Sequence, residues 1–349
     1  MYPYINRNGR MPIGHPRSIL NEQFDSTKHY GLFYGLVLPP QDLRYPVLPL
    51  RSHGKLIFAL CFSCADSRQQ TECHHSAKER AIEGTWCTPE LAFALTKGYT
   101  VLKTYELWQF DESSEETETT KGLFTEYVNT FLKLKTEASG YTTWTKGDPV
   151  LEAEYRSKFE AVEKVKLDPE AIKPNPGLRS LAKLCLNSFW GRYGMRDNLT
   201  KTAYVTSVRE WQKLLNSQEF AISQVKIVNS ETLLVSYSYT TEFVPESSQT
   251  NVVIAAFTTS LARLHLYNYL EKVGEGGLYC DTDSVIYIHR EDCDPLAGNV
   301  SDYLGMLTNE LAGYGPDVSI AEYVGAGTKN YGYRLTTGKS DWKVRGITQ

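Results

Sequence analysis

The sequence has no apolar run near the roughly 20 residues that a membrane-spanning helix needs, and it has no signal-like apolar segment at its N-terminus. Seven cysteines in 349 residues are too few for a disulfide-stapled secreted scaffold. A net charge of −4 gives no overall basic excess, so nucleic-acid binding would need local clusters of base. These absences predict an intracellular, reduced protein, in either the nucleus or the cytoplasm.

The sequence does have enough apolar residues for a packed core. Hydrophobic residues make up 41% and aromatic residues 12% of the chain, which excludes global disorder. A chain of this length holds one large domain or a few modest ones. Two stretches, 173–201 and 323–349, are rich in Lys and Arg, and each is either solvated surface or a binding surface.

Local patterns predict helices and strands without regular βαβ alternation, so the predicted fold class is α+β. Apolar spacing predicts an amphipathic helix over 122–139. A charged helix over 150–166, a helix that begins near Leu178 after the chain break at 174–177, and an apolar helix over 253–272 are also predicted. The other predicted elements are an irregular segment at 1–20, a helix capped by Thr88, a strand pair over 98–110, strands throughout 199–254, a β-hairpin over 276–290, a helix over 301–313 and a final β region.

Two carboxylates lie at the tip of the predicted hairpin, in the run Tyr279-Cys280-Asp281-Thr282-Asp283-Ser284. Asp, Thr and Ser favour turns, so a simple polar turn is one interpretation. However, two carboxylates held close together are costly unless a cation neutralises them, and hard oxygen ligands suit Mg²⁺. Two such ions about 3.5–4 Å apart can activate a hydroxyl group and stabilise a leaving pyrophosphate.

One face of the helix that begins near residue 178 combines basic, amide, aromatic and glycine positions, namely Lys183, Asn187, Trp190 and Gly191. The lysine can meet nucleotide phosphates as a point charge, and the other three can shape a surface for a base pair. The alternative is an ordinary amphipathic helix with Leu181, Leu184 and Trp190 in the core and a solvated lysine.

Both strings resemble motifs of the family B DNA polymerases. Tyr-x-Asp-Thr-Asp-Ser has the form of the third palm motif, and the string from Lys183 to Gly191 looks like Lys-x-x-x-Asn-Ser-x-Tyr-Gly, with Trp at the Tyr place. The resemblance implies that Asp281 and Asp283 are catalytic and bind Mg²⁺, with Asp283 as the direct ligand. It also implies nucleotide-binding and DNA-binding positions on the helix, namely Lys183, Asn187, Trp190 and Gly191 for the nucleotide and Ser188 for DNA.

Three shorter strings occur in the order of that family. Thr259 and Arg263 match an element that holds the primer-template in protein-primed members, and Lys329 with Tyr331 matches an element near the primer terminus. Taken alone, Thr259 and Arg263 are equally consistent with an ordinary helix. Tyr2, which would exclude ribonucleotides, matches the end of the first palm motif, and the following residues continue as in polymerases of Maverick-like mobile elements and related viruses.

The resemblance implies a polymerase truncated at both ends. The Asp of the first palm motif would precede Met1, and the exonuclease domain and most of the thumb would be absent. The implied fold is a palm with an antiparallel sheet, helical fingers and an inserted subdomain. The predicted boundaries are the tail of the first palm motif at 1–20, the insert at 21–121, the fingers at 122–210 and the palm with the thumb junction at 211–349.

The insert contains a Cys/His-rich segment with a zinc-like composition, and its candidate ligands are Cys61, Cys64, Cys73 and His75. Thiolates and imidazole suit a tetrahedral Zn²⁺ ion. The second pair has no regular spacing, so a structural zinc site and a group of free cysteines are both open interpretations.

The function that the resemblance implies is that of a DNA-directed DNA polymerase. Its cofactors would be two Mg²⁺ ions, and its partners a DNA primer-template, deoxynucleoside triphosphates and, with protein priming, a terminal protein encoded elsewhere. The rival interpretations are an inactive mobile-element remnant and a zinc-dependent nucleic-acid-binding module.

We expect weak or absent primer extension from the 349 residues alone, because the first-motif Asp is not among them. Extension of a labelled primer in Mg²⁺ measures this. Robust extension that Asp283→Ala abolishes would contradict the expectation.

Overall fold

The computed structural model describes residues 1–115, 117, 120–142, 145–245, 247, 249–290, 293–315 and 317–345. The helices are α1 Tyr2–Asn8, α2 Phe62–Ser67, α3 Ala77–Arg80, α4 Thr88–Thr96, α5 Thr125–Glu137, α6 Pro149–Glu163, α7 Pro176–Tyr193, α8 Val208–Asn216 and α9 Val252–Val273. The strands are β1 Met11–Ile13, β2 Arg17–Leu20, β3 Gly31–Leu38, β4 Pro49–Ser52, β5 Lys55–Phe58, β6 Ile82–Cys87, β7 Thr100–Gln109, β8 Glu112–Ser114, β9 Lys201–Val205, β10 Phe220–Asn229, β11 Thr232–Tyr239, β12 Gly277–Asp281, β13 Ser284–Tyr287, β14 Ile320–Gly327, β15 Asn330–Leu335 and β16 Ser340–Val344.

These elements form two compact units. One consists of Met1–Asn187 together with Ala256–Gln349, and the other is Ser188–Ala255. Helix α7 therefore begins in the first unit and ends in the second, and α9 does the reverse. None of the helices in the described ranges has both the length and the apolar character needed to cross a membrane.

A four-stranded antiparallel sheet in the order β2-β7-β3-β6 organises the predicted insert. Strand β3 alternates between more and less buried positions, as expected for a strand with one face on a core. Phe33 and Leu107 of the sheet and Leu91 of α4 are fully or almost fully buried in this core. Tyr267 of α9 belongs to the same cluster, so the insert packs directly on α9.

Helix α9 carries the predicted carboxylate hairpin. It is apolar around most of its circumference and is therefore buried on several sides. A short turn at Gly274–Gly276 leads from its end into β12, which pairs with β13 as an antiparallel hairpin. Val285 and Tyr287 of β13 pack against Tyr269 and Val273 of α9.

A buried ion pair fixes α1 against α6. Arg7 Nη1 lies 2.7 Å from Glu163 Oε2, and the two side chains are only 11% and 1% exposed. The other carboxylate oxygen of Glu163 accepts the backbone N–H of Leu304 at 2.7 Å. Because a buried charge is tolerated only when it is paired, this contact sets the position of the chain just after Tyr2.

The second unit is a three-stranded antiparallel sheet in the order β10-β11-β9, with α8 between β9 and β10. Asn198, which precedes β9, is hydrogen-bonded to the end of β11. Its side chain donates to the carbonyl oxygen of Tyr239 and accepts from the N–H of Tyr239. The predicted boundary between fingers and palm at 210/211 falls inside this unit, and the predicted subdivision as a whole stays a prediction.

Several local predictions are confirmed, including α5, α6, α7, α9 and the hairpin at 277–287. The predicted strand pair over 98–110 is wrong, because this segment is the single strand β7. No Gly, Pro, Asn or Asp occurs between Thr100 and Gln109 to form a turn, and β7 pairs with β3 on one side and β2 on the other.

The predicted helix over 301–313 is also wrong. Turns occupy most of this segment, followed by one short 3₁₀ turn at Ala312–Tyr314. Gly305 has a φ of +82°, and its carbonyl oxygen accepts the Tyr269 hydroxyl at 2.6 Å and lies 2.8 Å from His265 Nε2. These contacts bind the segment to side chains of α9 in place of intrahelical hydrogen bonds.

Three helix starts differ from prediction. Segment 1–20 contains α1 with Pro3 in its first turn, and segment 199–254 contains α8, which Ser207 caps by accepting the Glu210 N–H. The N-cap of α4 is Cys87. The Thr88 hydroxyl oxygen instead accepts the Gly31 N–H at 2.9 Å.

A substitution at Gly31 tests how closely β3 packs against β7 in the four-stranded sheet. Its φ is +154°, and a Cβ atom there would lie 1.8 Å from the Trp108 carbonyl oxygen. We expect Gly31→Ala to lower the free energy of unfolding by about 3 kcal/mol, measured by urea denaturation. Gly54→Ala is the control, because a Cβ at its φ of +73° meets no atom within 4 Å, and it should cost about 1 kcal/mol. Equal losses would contradict this account.

Candidate active site

The two predicted carboxylates lie on a tight turn between β12 and β13. Asp281 pairs with Ser284 across the hairpin, and Thr282 between the two carboxylates has a φ of +54°. The Asp283 N–H donates to the Asp281 carbonyl oxygen at 2.5 Å. This turn holds Asp281 partly buried and leaves Asp283 exposed at the tip.

Lys329 binds the carboxylate of Asp281. It lies between β14 and β15 with a φ of +56°, and its Nζ is 2.8 Å from Asp281 Oδ2. Its backbone N–H donates to the Tyr279 hydroxyl at 3.1 Å, and the rings of Tyr279 and Tyr331 are 4.7 Å apart. The structure therefore brings Lys329 and Tyr331, which match a family element near the primer terminus only by resemblance, against the carboxylate hairpin.

Opposing effects act on the pKa of Asp281. Partial burial raises it, but hydrogen bonds from Lys329 and Thr282 outweigh the burial, and the net pKa lies below the ordinary value. Asp281 is therefore held as a carboxylate whose charge is compensated by Lys329. Among the described residues, the Asp283 side chain makes no hydrogen bond or ion pair, so its oxygens are available to a ligand.

Helix α1 places Tyr2 in the electrostatic field of this hairpin. Burial raises the pKa of the Tyr2 hydroxyl, Asp283 and Asp281 raise it further, and Arg263 lowers it. Burial lowers the pKa of the Met1 amino group, the charge of Asp283 raises it and the charge of Lys135 lowers it. Charges at the hairpin tip and on α5 therefore both act on the start of α1.

Arg263 is held by a carboxylate that the sequence does not indicate. Its Nε and Nη2 atoms donate to Glu90 Oε1 at 2.6 Å and to Oε2 at 2.8 Å. The Glu90 side chain is 1% exposed, whereas that of Arg263 is 30% exposed. One turn earlier on α9, the Thr259 hydroxyl donates to the Ala256 carbonyl at 3.0 Å. The guanidinium group is therefore fixed by the insert, with part of its surface open to solvent.

Three cations cluster where α5 faces the first part of α7. Burial lowers the pKa of Lys135, and the charges of Arg179 and Lys183 lower it further, while Asp302 and Glu163 act in the opposite direction. A partly buried ammonium group beside two other cations is costly unless an anion is bound nearby. Asp302 and Glu163 offset part of this cost, and an anionic ligand bound here would offset more of it.

The side chains of α7 are arranged differently from an ordinary amphipathic helix. Leu181 and Leu184 are 55% and 61% exposed, so the alternative that places them in the core is wrong. The buried positions are Ala182 and Leu186, and Lys183 and Asn187 are exposed beside them.

Three of the predicted positions on α7 fall in the second unit, and these are Ser188, Trp190 and Gly191. A Cβ atom on Gly191 would meet no atom within 4 Å, so packing within the described residues does not require a glycine there. A helical glycine costs about 1 kcal/mol relative to alanine, so the fold does not account for it.

The four predicted zinc ligands Cys61, Cys64, Cys73 and His75 come together within the insert. The sequence missed Glu90, Lys135 and Arg179 as site residues. Glu90 is typical of a helix first turn, and Lys135 is typical of a solvated helix face. Only the tertiary structure shows that Glu90 pairs with Arg263 and that the charges of Arg179 and Lys183 act on Lys135.

The Glu90–Arg263 pair can be tested by a double-mutant cycle in urea denaturation. Glu90→Gln and Arg263→Met should each lower the free energy of unfolding by about 3–5 kcal/mol, because each leaves one charge of the pair without its partner. The double variant should lose much less than the sum of these two values. Additive losses would show that the two side chains are not energetically coupled.

One known protein family matches most of the chain. Residues 1–146 and 161–275 match the family described as DNA polymerase type B, organellar and viral. A probable DNA polymerase of Ascobolus immersus is 24% identical over 318 residues, which cover 89% of this chain and 20% of that protein. A probable DNA polymerase of Neurospora intermedia is 20% identical over 343 residues, which cover 95% of this chain and 28% of that protein.

Among solved structures, Phi29 DNA polymerase in its ternary complex with primer-template DNA and incoming nucleotide substrates matches with a TM-score of 0.59 at 14% identity. The match covers 100% of this chain and 49% of that chain, so this chain spans about half the length of that polymerase and less of the fungal relatives. The likeness confirms the predicted α+β polymerase fold. Because the family model matches most of its length, the chain belongs to the type B DNA polymerases of the organellar and viral group.

Proposed function

We propose that this chain is part of a DNA-directed DNA polymerase that adds deoxynucleotides to a primer. In this reaction the primer 3′-oxygen attacks the α-phosphorus of a deoxynucleoside triphosphate, the bond to pyrophosphate breaks, and the hydroxyl proton is lost. The observation that carries the proposal is that the carboxylate hairpin meets Lys329 and Tyr331 within one compact unit, where Lys329 Nζ lies 2.8 Å from Asp281 Oδ2 and the rings of Tyr279 and Tyr331 are 4.7 Å apart. Such a reaction depends on positioning and electrostatics and needs no protein nucleophile.

Divalent metal use follows from the family, and the specific proposal is two Mg²⁺ ions held by Asp283 with support from Asp281. The residues fit this role, because Asp281 already binds a cationic group, the Lys329 ammonium, at 2.8 Å. Carboxylate oxygens are the ligands that Mg²⁺ prefers. When bound, the ions would activate the 3′-hydroxyl and stabilise the leaving pyrophosphate.

The triphosphate would bind the cluster of Lys183, Lys135 and Arg179. Lys183 is exposed on α7, and the partly buried ammonium group of Lys135 would gain most from a bound anion. The charges of Asp283 and Lys135 both act on the Met1 amino group, which supports a triphosphate site that both the cations and the carboxylates can reach.

The base and sugar of the nucleotide would meet the remaining predicted positions. Tyr2 would exclude ribonucleotides by occupying the space of a 2′-hydroxyl. Asn187, Trp190 and Gly191 would form the surface against the nascent base pair. The unexplained glycine at 191 supports this role, because a missing side chain allows close approach of a ligand.

The DNA primer-template would bind Ser188, Thr259, Lys329 and Tyr331, together with the exposed part of Arg263. Phi29 DNA polymerase has been solved with primer-template DNA, which supports the same partner here. A terminal protein encoded elsewhere and an intracellular location also belong to the proposal.

The test is the formation of a ternary complex, which does not require chemistry. The full chain is mixed with a fluorescent primer-template that ends in a dideoxynucleotide, in Mg²⁺, and anisotropy is measured as each deoxynucleoside triphosphate is added. The nucleotide complementary to the template should tighten the complex, and the other three should not. Equal responses to all four would remove template-directed polymerisation as the function.

Lys183→Ala should raise the apparent Kd of the complementary nucleotide about tenfold or more, because a hydrogen bond to a charged group contributes about 1.5–3 kcal/mol. Lys55→Ala, which removes an exposed lysine on β5, is the matched control and should leave this Kd unchanged. An unchanged Kd in Lys183→Ala would exclude its role in phosphate binding.

A further inference from the structure

Four side chains of the insert converge on one point. The sulfur atoms of Cys61, Cys64 and Cys73 and a ring nitrogen of His75 all lie within 4.8 Å of one another. His75 Nδ1 is 3.5 Å from the Cys61 sulfur, 3.3 Å from that of Cys64 and 3.6 Å from that of Cys73. This convergence favours a metal site over a group of unrelated free cysteines, because free cysteines need not gather around one imidazole.

Local structure presents the first two ligands on the N-terminal turn of α2. Cys61 is the N-cap of this helix, and the Cys64 N–H donates to the Cys61 sulfur at 3.3 Å. The spacing of three residues in the first helical turn therefore turns both sulfur atoms to the same side. Arg68 then ends α2 in the left-handed conformation, which reverses the chain and returns Cys73 and His75 to that point.

Hydrogen bonding alone does not account for this arrangement. A neutral imidazole nitrogen either donates or accepts, and an accepting nitrogen has a single lone pair. Three sulfur atoms at hydrogen-bonding distance from one nitrogen exceed that capacity. A cation at the centre of the group would satisfy all four atoms at once.

The distances fit a tetrahedral zinc ion. Zn–S bonds of about 2.3 Å and a Zn–N bond of about 2.0–2.1 Å place sulfur and nitrogen ligands roughly 3.5 Å apart. The three sulfur–nitrogen separations, 3.3, 3.5 and 3.6 Å, lie within a few tenths of an ångström of this value. Three thiolates and one imidazole also form a common ligand set of structural zinc sites.

We propose that Cys61, Cys64, Cys73 and His75 bind one structural Zn²⁺ ion. Four protein ligands fill the tetrahedron and leave no position for water or substrate, so the site is structural. The ion would fasten the segment 68–76, which has no helix or strand, between α2 and α3. Arg80 at the end of α3 is anchored in turn, because it donates to the carbonyl oxygens of Pro39 and Pro40. This proposal does not depend on the polymerase proposal.

The first measurement is the metal content of the full chain, purified without chelators under reducing conditions and then supplied with Zn²⁺. We expect one zinc per chain. X-ray absorption at the zinc edge should show three sulfur ligands at about 2.3 Å and one nitrogen at about 2.0–2.1 Å. Chelation should lower the Tm, and added Zn²⁺ should restore it.

Matched variants locate the ion. Cys73→Ser and His75→Ala should lose the zinc, whereas His74→Ala, at the adjacent exposed histidine, and Cys293→Ser, at an exposed cysteine outside the group, should keep it. If a ligand variant fails to fold, the X-ray absorption of the unmodified chain still decides. Less than stoichiometric zinc after reconstitution, a first shell without sulfur, a disulfide within the group, or zinc retained by both ligand variants would overturn the proposal.

Discussion

The buried charge pair of Glu90 and Arg263 connects the two parts of the chain on which the candidate site depends. Glu90 lies in the first turn of α4, next to the four-stranded sheet, and Arg263 lies midway along α9, which leads into the carboxylate hairpin. An unpaired charge at either position would cost several kcal/mol. The insert and α9 therefore pack in the one arrangement that joins these groups, and the same contact holds a guanidinium group near Tyr2.

The candidate site separates its charges into two groups, and neighbouring side chains compensate each of them only in part. Asp281 and Asp283 lie at the hairpin tip, and Lys135, Arg179 and Lys183 lie on α5 and α7. Lys329 compensates only one of the two carboxylates. A nucleotide bound with a divalent cation carries both signs of charge, so it would relieve both groups at once. This complementarity links the geometry to the proposed polymerase function more directly than any single residue does.

The Cys/His group addresses a different physical problem. The segment 68–76 consists almost entirely of polar and charged residues, so it can bury little apolar surface to offset the entropy of ordering. Metal coordination supplies binding energy that does not require a hydrophobic core. The insert would thus have an apolar core under its four-stranded sheet and, at its surface, a segment held by a bound zinc ion.

The sequence by itself determined the features whose physics is local. Apolar periodicity predicted α5, the break at 174–177 predicted the start of α7, and an apolar run predicted α9. Turn residues predicted the carboxylate hairpin, and the residue types at 61–75 had a zinc-like composition. Local patterns failed where distant contacts prevail, as at Gly305, whose carbonyl is bound by side chains of α9. Only the tertiary structure decided that Glu90 pairs with Arg263, that Lys329 compensates Asp281, and that His75 joins three cysteines. These partners are remote or irregularly spaced along the chain, and the packing that brings them together leaves no local signal in the sequence.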